Sequence, residues 1–521
     1  MKHSVDEHCA NVAFKENKAV TMQSKNLYSP FLLFILLVGL VTPCFAQKGK
    51  NRDAQQNQQR ENSNRNRKSL NVKIEVGNII LGSPTSNSIA ASIILEKDAQ
   101  GYIEYYTERS KNKTTTSVFK TDNSEPIEIN ITGLRPNTQY FYRLNYKKFG
   151  EANFTETNES WFATQKDVST SFSFGVQGDS HPERQGKMFH PELYRQTLNN
   201  VALHRPDFYF MLGDDFNIDH LLAGNSATRE NVESIYKVQR HYLGVPGSNP
   251  PLFLVNGNHE QAAKYLLNGT PNNAAVQAGR ARKVFFPLPA PNGFYSGNED
   301  TVQYVGLLKD YYAFEWGNAL FVVIDPYWHS DVAVDNQPYM SGAGGERKKK
   351  DPWSATLGNE QYNWLKKTLE STTAKFKFIF AHHVNGTGRG GVERATFFEW
   401  GGYAPNGQWQ FDRFRPGWEM PIHQLMVKNK VTIFFQGHDH LFAKQELDGV
   451  VYQSVPNPAD DTHTAFNREA YQSGDVLPNS GFLNITVSPT DVNVEYVRSY
   501  FKDNPSLSEE AKKNYSYNIK G

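Results

Sequence analysis

Residues 431–442 read VTIFFQGHDHLF. β-Branched and aromatic side chains, which suit a strand buried on both faces, run as far as Phe435. Gly437 ends the run, and His438 and His440 follow with one residue between them. A single His-x-His pair says little, because histidines often fall two apart by chance. The segment gains meaning from others that end in the same way.

Four do. FSFGVQGDSH (172–181) delivers Asp179 and His181, and DFYFMLGDD (207–215) delivers Asp214. PLFLVNGNHE (251–260) delivers Asn258, His259 and Glu260, and KFKFIFAHH (375–383) delivers His382 and His383. Each is an apolar run followed by side chains that ligate metals or move protons, and four of the five have glycine at the junction. In open α/β sheets, ligands bind beyond the carboxyl ends of the strands. If these strands pair, their tips converge and collect ligands from five distant segments.

The residue types narrow the chemistry. Imidazole together with carboxylate and amide oxygen suits Zn, Mn or Fe, whereas Mg or Ca sites are built almost wholly of oxygen. Asp179, His181, Asp214, Asn258, His382, His438 and His440 are too many for one tetrahedral ion and suit two if one carboxylate bridges. Two divalent ions bring four positive charges against two carboxylates, and the excess favours hydroxide and an anionic substrate such as a phosphate ester.

The ordered blocks Asp-x-His, Gly-Asp, Gly-Asn-His-Glu, His and Gly-His-x-His resemble the metallophosphoesterase (calcineurin-like phosphoesterase) superfamily over about residues 171–500. That resemblance implies an α/β domain of two mixed sheets flanked by helices. It places Asp179, His181 and His440 on a first metal and Asn258, His382 and His438 on a second, with Asp214 bridging. His259 would contact the phosphate and assist the leaving oxygen while a metal-bridging hydroxide attacks phosphorus. His382 is preferred to His383, which becomes a donor behind the ligands, and Glu260 is read as a supporting residue. Purple acid phosphatases, a branch of the superfamily, lack the first-block histidine and use a tyrosine three residues after the bridging aspartate. Here His181 is present and that tyrosine position is Asn217, so a histidine replaces the tyrosinate and ferric iron is not called for.

Outward from this block the texture changes. Residues 70–167 hold short alternating runs such as SIAASIIL and GYIEYYTE between turn residues, as in an antiparallel sandwich. ITGLRPNTQYFYRLNY (131–146) resembles the tyrosine corner of fibronectin type III domains, and such a domain upstream points to the purple acid phosphatase-like branch. Residues 47–69 are basic and nearly devoid of apolar side chains, as expected of a disordered tether. Before them FLLFILLVGLV (31–41) and Cys44-Phe45-Ala46 read as a signal peptide cut after Ala46, with translation from Met1 or Met22.

The expected organisation is thus signal peptide 1–46, tether 47–69, fibronectin-like sandwich 70–167, catalytic domain 168–503 and polar tail 504–521. Both cysteines, Cys9 and Cys44, lie in the part removed, so the exported chain would carry no disulfide and no membrane span. A net charge of +1 over 521 residues gives no field that would attract nucleic acid. Helices are expected within 190–204, 359–371 and 420–430. The Gly-, Pro- and aromatic-rich stretches 261–310, 327–358 and 386–415 are longer than ordinary connections and read as insertions around the site. Arg184 and Arg389 have the bidentate geometry for phosphate, although surface arginines are common. Tyr327, Trp328, His329 and Trp400 are candidates either for a pocket or for packing.

The leading reading is an exported phosphatase acting on small phosphate monoesters. A phosphodiesterase or nucleotide-cleaving enzyme with the same centre is the alternative. An adhesion protein with a vestigial metal domain is the alternative of another class.

Overall fold

The computed structural model describes residues 76–521 except 109–111, 122–124, 223, 225, 335–350, 385–387, 503 and 505–506. The expected signal peptide and tether lie outside the described residues. The described residues belong to one compact unit.

Its N-terminal part is all antiparallel. One sheet joins Asn78–Gly82, Ser88–Ile94 and Ile127–Thr132, and the other is built on the long pair Ala99–Thr107 and Gln139–Lys148. Alternate residues of both sheets (Leu81, Ile89, Ile93, Ile103, Tyr142, Leu144) meet in one buried cluster. The Tyr140 hydroxyl accepts the Arg135 N–H at 2.9 Å, the back-bond that defines a tyrosine corner.

The remainder is α/β. A six-stranded sheet runs in the order Leu252–Leu254, Phe208–Met211, Phe172–Gln177, Ser480–Val487, Asp491–Ser499, Tyr515–Lys520. An eight-stranded sheet has Ala319–Val323, Phe376–Phe380, Ile433–Gln436 and Val450–Ser454 as successive parallel neighbours. The two sheets face each other across phenylalanines. Phe210 and Phe380, from opposite sheets, stack at 4.1 Å between centroids and 6° between planes. Helices Pro191–His204, Arg229–Gly247 and Ala274–Phe285 cover the outer face of the first sheet, and Gly358–Ser371 and Ile422–Lys428 that of the second. Phe172–Gln177, Phe208–Met211 and Leu252–Leu254 are mutually parallel, so their carboxyl ends emerge on one edge.

Within 504–521, expected as a polar tail, Tyr515–Lys520 is instead a strand. It pairs antiparallel with Asp491–Ser499 and extends the first sheet. Its alternate residues Tyr515, Tyr517 and Ile519 pack on the inter-sheet core, while Ser516, Asn518 and Lys520 face water. The polar residues that suggested a tail are one face of an edge strand.

Arg240, fully buried on Arg229–Gly247, pins this part to the N-terminal sheets. Nε donates to Asn78 Oδ1 (2.9 Å), Nη2 to Ser92 O (2.6 Å), and Nη1 to Ser92 Oγ (2.8 Å) and to Phe285 O. No carboxylate is among these partners. Arg240→Ala strands several buried acceptors, so a loss of about 2–3 kcal/mol in urea unfolding is expected, with little change in metal binding.

Candidate metal centre

The five strand tips meet. Asp179 Oδ2 lies 3.0 Å from His440 Nε2 and 3.7 Å from His181 Nε2, and Asp179 Oδ1 accepts the His438 N–H at 2.7 Å. Asp214 Oδ2 lies 3.7 Å from His181 Nε2 and 3.1 Å from His382 Nε2. His382 Nε2 is also 3.1 Å from Asn258 Oδ1 and 3.2 Å from His438 Nδ1. All seven residues expected as ligands therefore join one buried cluster, with Asp214 between its two ends.

Local backbone geometry puts them there. His181, Asp214, His438 and His440 adopt left-handed φ of 48°, 58°, 67° and 60°. Each such residue costs about 1–2 kcal/mol relative to ordinary backbone, a strain that concentrates at functional sites. Glycine at two junctions is required by close approach. A Cβ on Gly257 would sit 2.3 Å from Asp214 Oδ1, and one on Gly437 would sit 2.5 Å from Asp179 Oδ1.

The arrangement calls for cations. Around His382 Nε2, a carboxylate oxygen, an amide oxygen and a ring nitrogen crowd within 3.2 Å. His382 Nδ1 donates to Leu212 O at 2.7 Å, which aims the Nε2 lone pair inward. Burial disfavours charge on His382, but Asp214 and Asp179 overcome it and push its pKa up to about 10. Burial likewise opposes charge on Asp179 and Asp214, and the neighbouring imidazoles hold both carboxyls well below their usual range. A divalent ion replaces such a proton. His181 repeats the pattern: Nδ1 meets Glu183 at 2.9 Å, and buried Nε2 has no hydrogen-bond partner. Among the described residues, four groups of three acidic or imidazole side chains have ligand atoms within 4.8 Å of one another: Asp179/His181/His440, His181/Asp214/His259, Asp179/Asp214/His382 and His382/His383/His438. The residues present fit metal.

Supporting residues surround this cluster. The Glu260 carboxylate accepts four backbone N–H groups, from Asp214, Asp215, Phe216 and Gly257 at 2.7–3.2 Å. It therefore braces the loops that carry Asp214 and Asn258. Asp215 turns away to Ser180 Oγ (2.5 Å) and Gln177 Nε2 (3.0 Å). Arg389 is held by the last strand tip: Nη1 donates to His438 O (2.6 Å) and Asp439 (3.0 Å). Trp400 is core, donating to the Tyr452 hydroxyl, and His329 is paired with Asp310.

His259 sits at the open side, with 13% of its side chain exposed. Its Nδ1 meets the Asp219 carboxylate, and Nε2 lies 3.7 Å from Asp214 Oδ2 and 3.1 Å from Arg184 Nη2. Burial lowers its pKa, but Asp214 and Asp219 more than compensate and raise it to about 9. Asn217, at the tyrosine position of purple acid phosphatases, donates to Glu183 at 2.9 Å and caps the Asp219 N–H at 3.0 Å. It thereby backs both His181 and His259. Sequence reading missed Glu183 and Asp219, and gave Tyr327 only as a pocket or packing candidate. Of the missed pair, only Glu183 had a visible signal, its place two residues after His181.

Among the described residues no helix is long and apolar enough to cross a membrane. A family model described as calcineurin-like phosphoesterase matches residues 172–442. The fold is similar to a purple acid phosphatase from yellow lupin (Lupinus luteus) seeds, at 17% identity and a TM-score of 0.56, over 85% of this chain and 74% of that one. It is also similar to PhoD, at 16% identity and a TM-score of 0.55, over 85% of this chain and 90% of that one. No curated protein matches in sequence. At such identities the two structures speak for the fold alone, but the family model spans more than half of the chain and takes in all five strand tips. The chain belongs to the calcineurin-like phosphoesterase family.

Proposed function

We propose that the protein is an exported dimetal enzyme that hydrolyses phosphate monoesters. One observation carries the reading: five separate strand tips bring buried acceptor atoms together around Asp214. Asp179, His181 and His440 would hold one ion, Asn258, His382 and His438 the other, and Asp214 both. Two ions of the Zn, Mn or Fe kind supply, when bound, the Lewis acidity that polarises a phosphoryl group and makes water nucleophilic at neutral pH.

The protein's own groups do the rest. Asp219 accepts from Nδ1 of His259 and fixes the ring, and Nε2 accepts the Arg184 Nη2–H at 3.1 Å. Once a substrate phosphate takes over the Arg184 contact, a protonated Nε2 would give its proton to the departing ester oxygen. Arg184 adds a second cation beside it. A monoester dianion carries one more negative charge than a diester, and the pair of cations favours it. Export rests on the apolar run 31–41 and the small residue at Ala46.

The test compares hydrolysis of p-nitrophenyl phosphate with that of its bis ester by the metal-loaded protein. A higher kcat/KM for the monoester is expected, and faster diester cleavage overturns the choice. His259→Gln should lower kcat by about 100-fold on alkyl phosphates and less on p-nitrophenyl phosphate, whose leaving group needs little protonation. Metal content should stay unchanged. Equal losses on both substrates would remove the acid role.

A further inference from the structure

His383 directly follows His382 at the tip of Phe376–Phe380. In an extended strand, neighbours point to opposite faces. Beyond the strand's end the chain bends, and both rings enter the same cluster. The His383 ring lies 4.4 Å from that of His438 at 24°. The His382 ring lies 5.2 Å from His383 and 5.0 Å from His438, at 80° and 76°. Three imidazoles thus surround one volume, with a ligand atom from each within 4.8 Å of the other two.

The two nitrogens of His383 have different surroundings. Nδ1 lies 3.1 Å from the Tyr327 hydroxyl, whereas Nε2 is buried without a hydrogen-bond partner. A histidine kept for packing alone would leave that nitrogen desolvated and unpaired, which opposes folding. A ligating histidine typically has this layout, with one nitrogen tied to an outer partner and the other presenting its lone pair. His181 shows the same division, with Glu183 as its partner.

We infer that His383 is a further metal ligand, so that the Asn258 end of the centre is held by three imidazoles, from His382, His383 and His438. The inference rests on the dimetal reading above. It makes the two ends chemically unequal. The Asp179 end offers two imidazoles and a carboxylate of its own, while the His383 end offers three imidazoles and an amide oxygen. The nitrogen-rich end should therefore discriminate more strongly for Zn2+ over Mg2+.

The experiment is anomalous diffraction at the zinc edge from crystals of the full chain equilibrated with Zn2+. Two peaks are expected, one of them at bonding distance, about 2.0–2.3 Å, from a ring nitrogen of His383. Two peaks both well beyond that reach would overturn the inference and leave the dimetal reading standing, whereas no peak at the cluster would overturn both. In solution, chelator competition on His383→Gln should show one of two zinc ions weakened by about 100-fold or more and the other unchanged. Two unchanged affinities in a variant that melts like the metal-free wild type would also overturn it. If the variant does not fold, the diffraction result on the wild type decides.

Discussion

Asp214→Asn should leave the protein folded while lowering kcat/KM by about four orders of magnitude, roughly 5.5 kcal/mol of transition-state stabilisation. The two halves of this expectation have separate causes. The fold is preserved because asparagine matches aspartate in size and tolerates left-handed backbone, which residue 214 adopts at φ 58°. The amide oxygen can still accept the His259 N–H, which now meets Asp214 Oδ1 at 2.8 Å. Activity falls because Oδ2 faces His382 at 3.1 Å and His181 at 3.7 Å, and an amide nitrogen there presents protons to groups that should face a cation. Of the cluster's two carboxylates, only Asp179 would remain. Metal analysis should show fewer than two ions per chain, with circular dichroism unchanged. Activity within tenfold of wild type would remove Asp214 from the shared position.

The same strand tips show what was legible in the sequence. Apolar runs stopping at glycine predicted where chain ends would converge. The structure supplies the reason for the glycines, since the Asp214 and Asp179 carboxylates lie against the bare Cα of Gly257 and Gly437. Strand identity and the seven ligand candidates were readable because hydrophobic period and side-chain chemistry are local properties. What was not readable depends on distant partners. Nothing around Asp219 or Tyr327 announces that each will meet a histidine more than 35 positions away. His382 was preferred to His383 by resemblance, and the structure brings both rings to the cluster. Tyr515–Lys520 has a strand's alternation, but over six residues it is decisive only once Asp491–Ser499 is known to offer an open edge. Arg229–Gly247, the longest helix described, ends in Gly244-Val245-Pro246-Gly247, a sequence that reads as a turn until its packing on the first sheet is seen.

Glu260→Ala should be the most destabilising single substitution near the centre, by about 4 kcal/mol in denaturant unfolding of the metal-free protein. The carboxylate is fully buried and serves as the acceptor for four backbone N–H groups on two loops. Burial and the nearby Asp214 push its pKa up, to about 7, against the pull of those donors. Truncation leaves buried donors without acceptors, and each costs about 1–3 kcal/mol unless water enters. Four losses will not add fully, because the loops can relax. That relaxation is itself informative, since the loops carry Asp214 and Asn258. Glu260→Gln should cost less, about 2 kcal/mol, because one oxygen still accepts while the amide group meets the remaining donors head on. Both variants should also bind metal more weakly without losing any ligand. If Glu260→Ala unfolds at the wild-type denaturant concentration and holds its metals as tightly, the loops are positioned by their packing and not by this carboxylate.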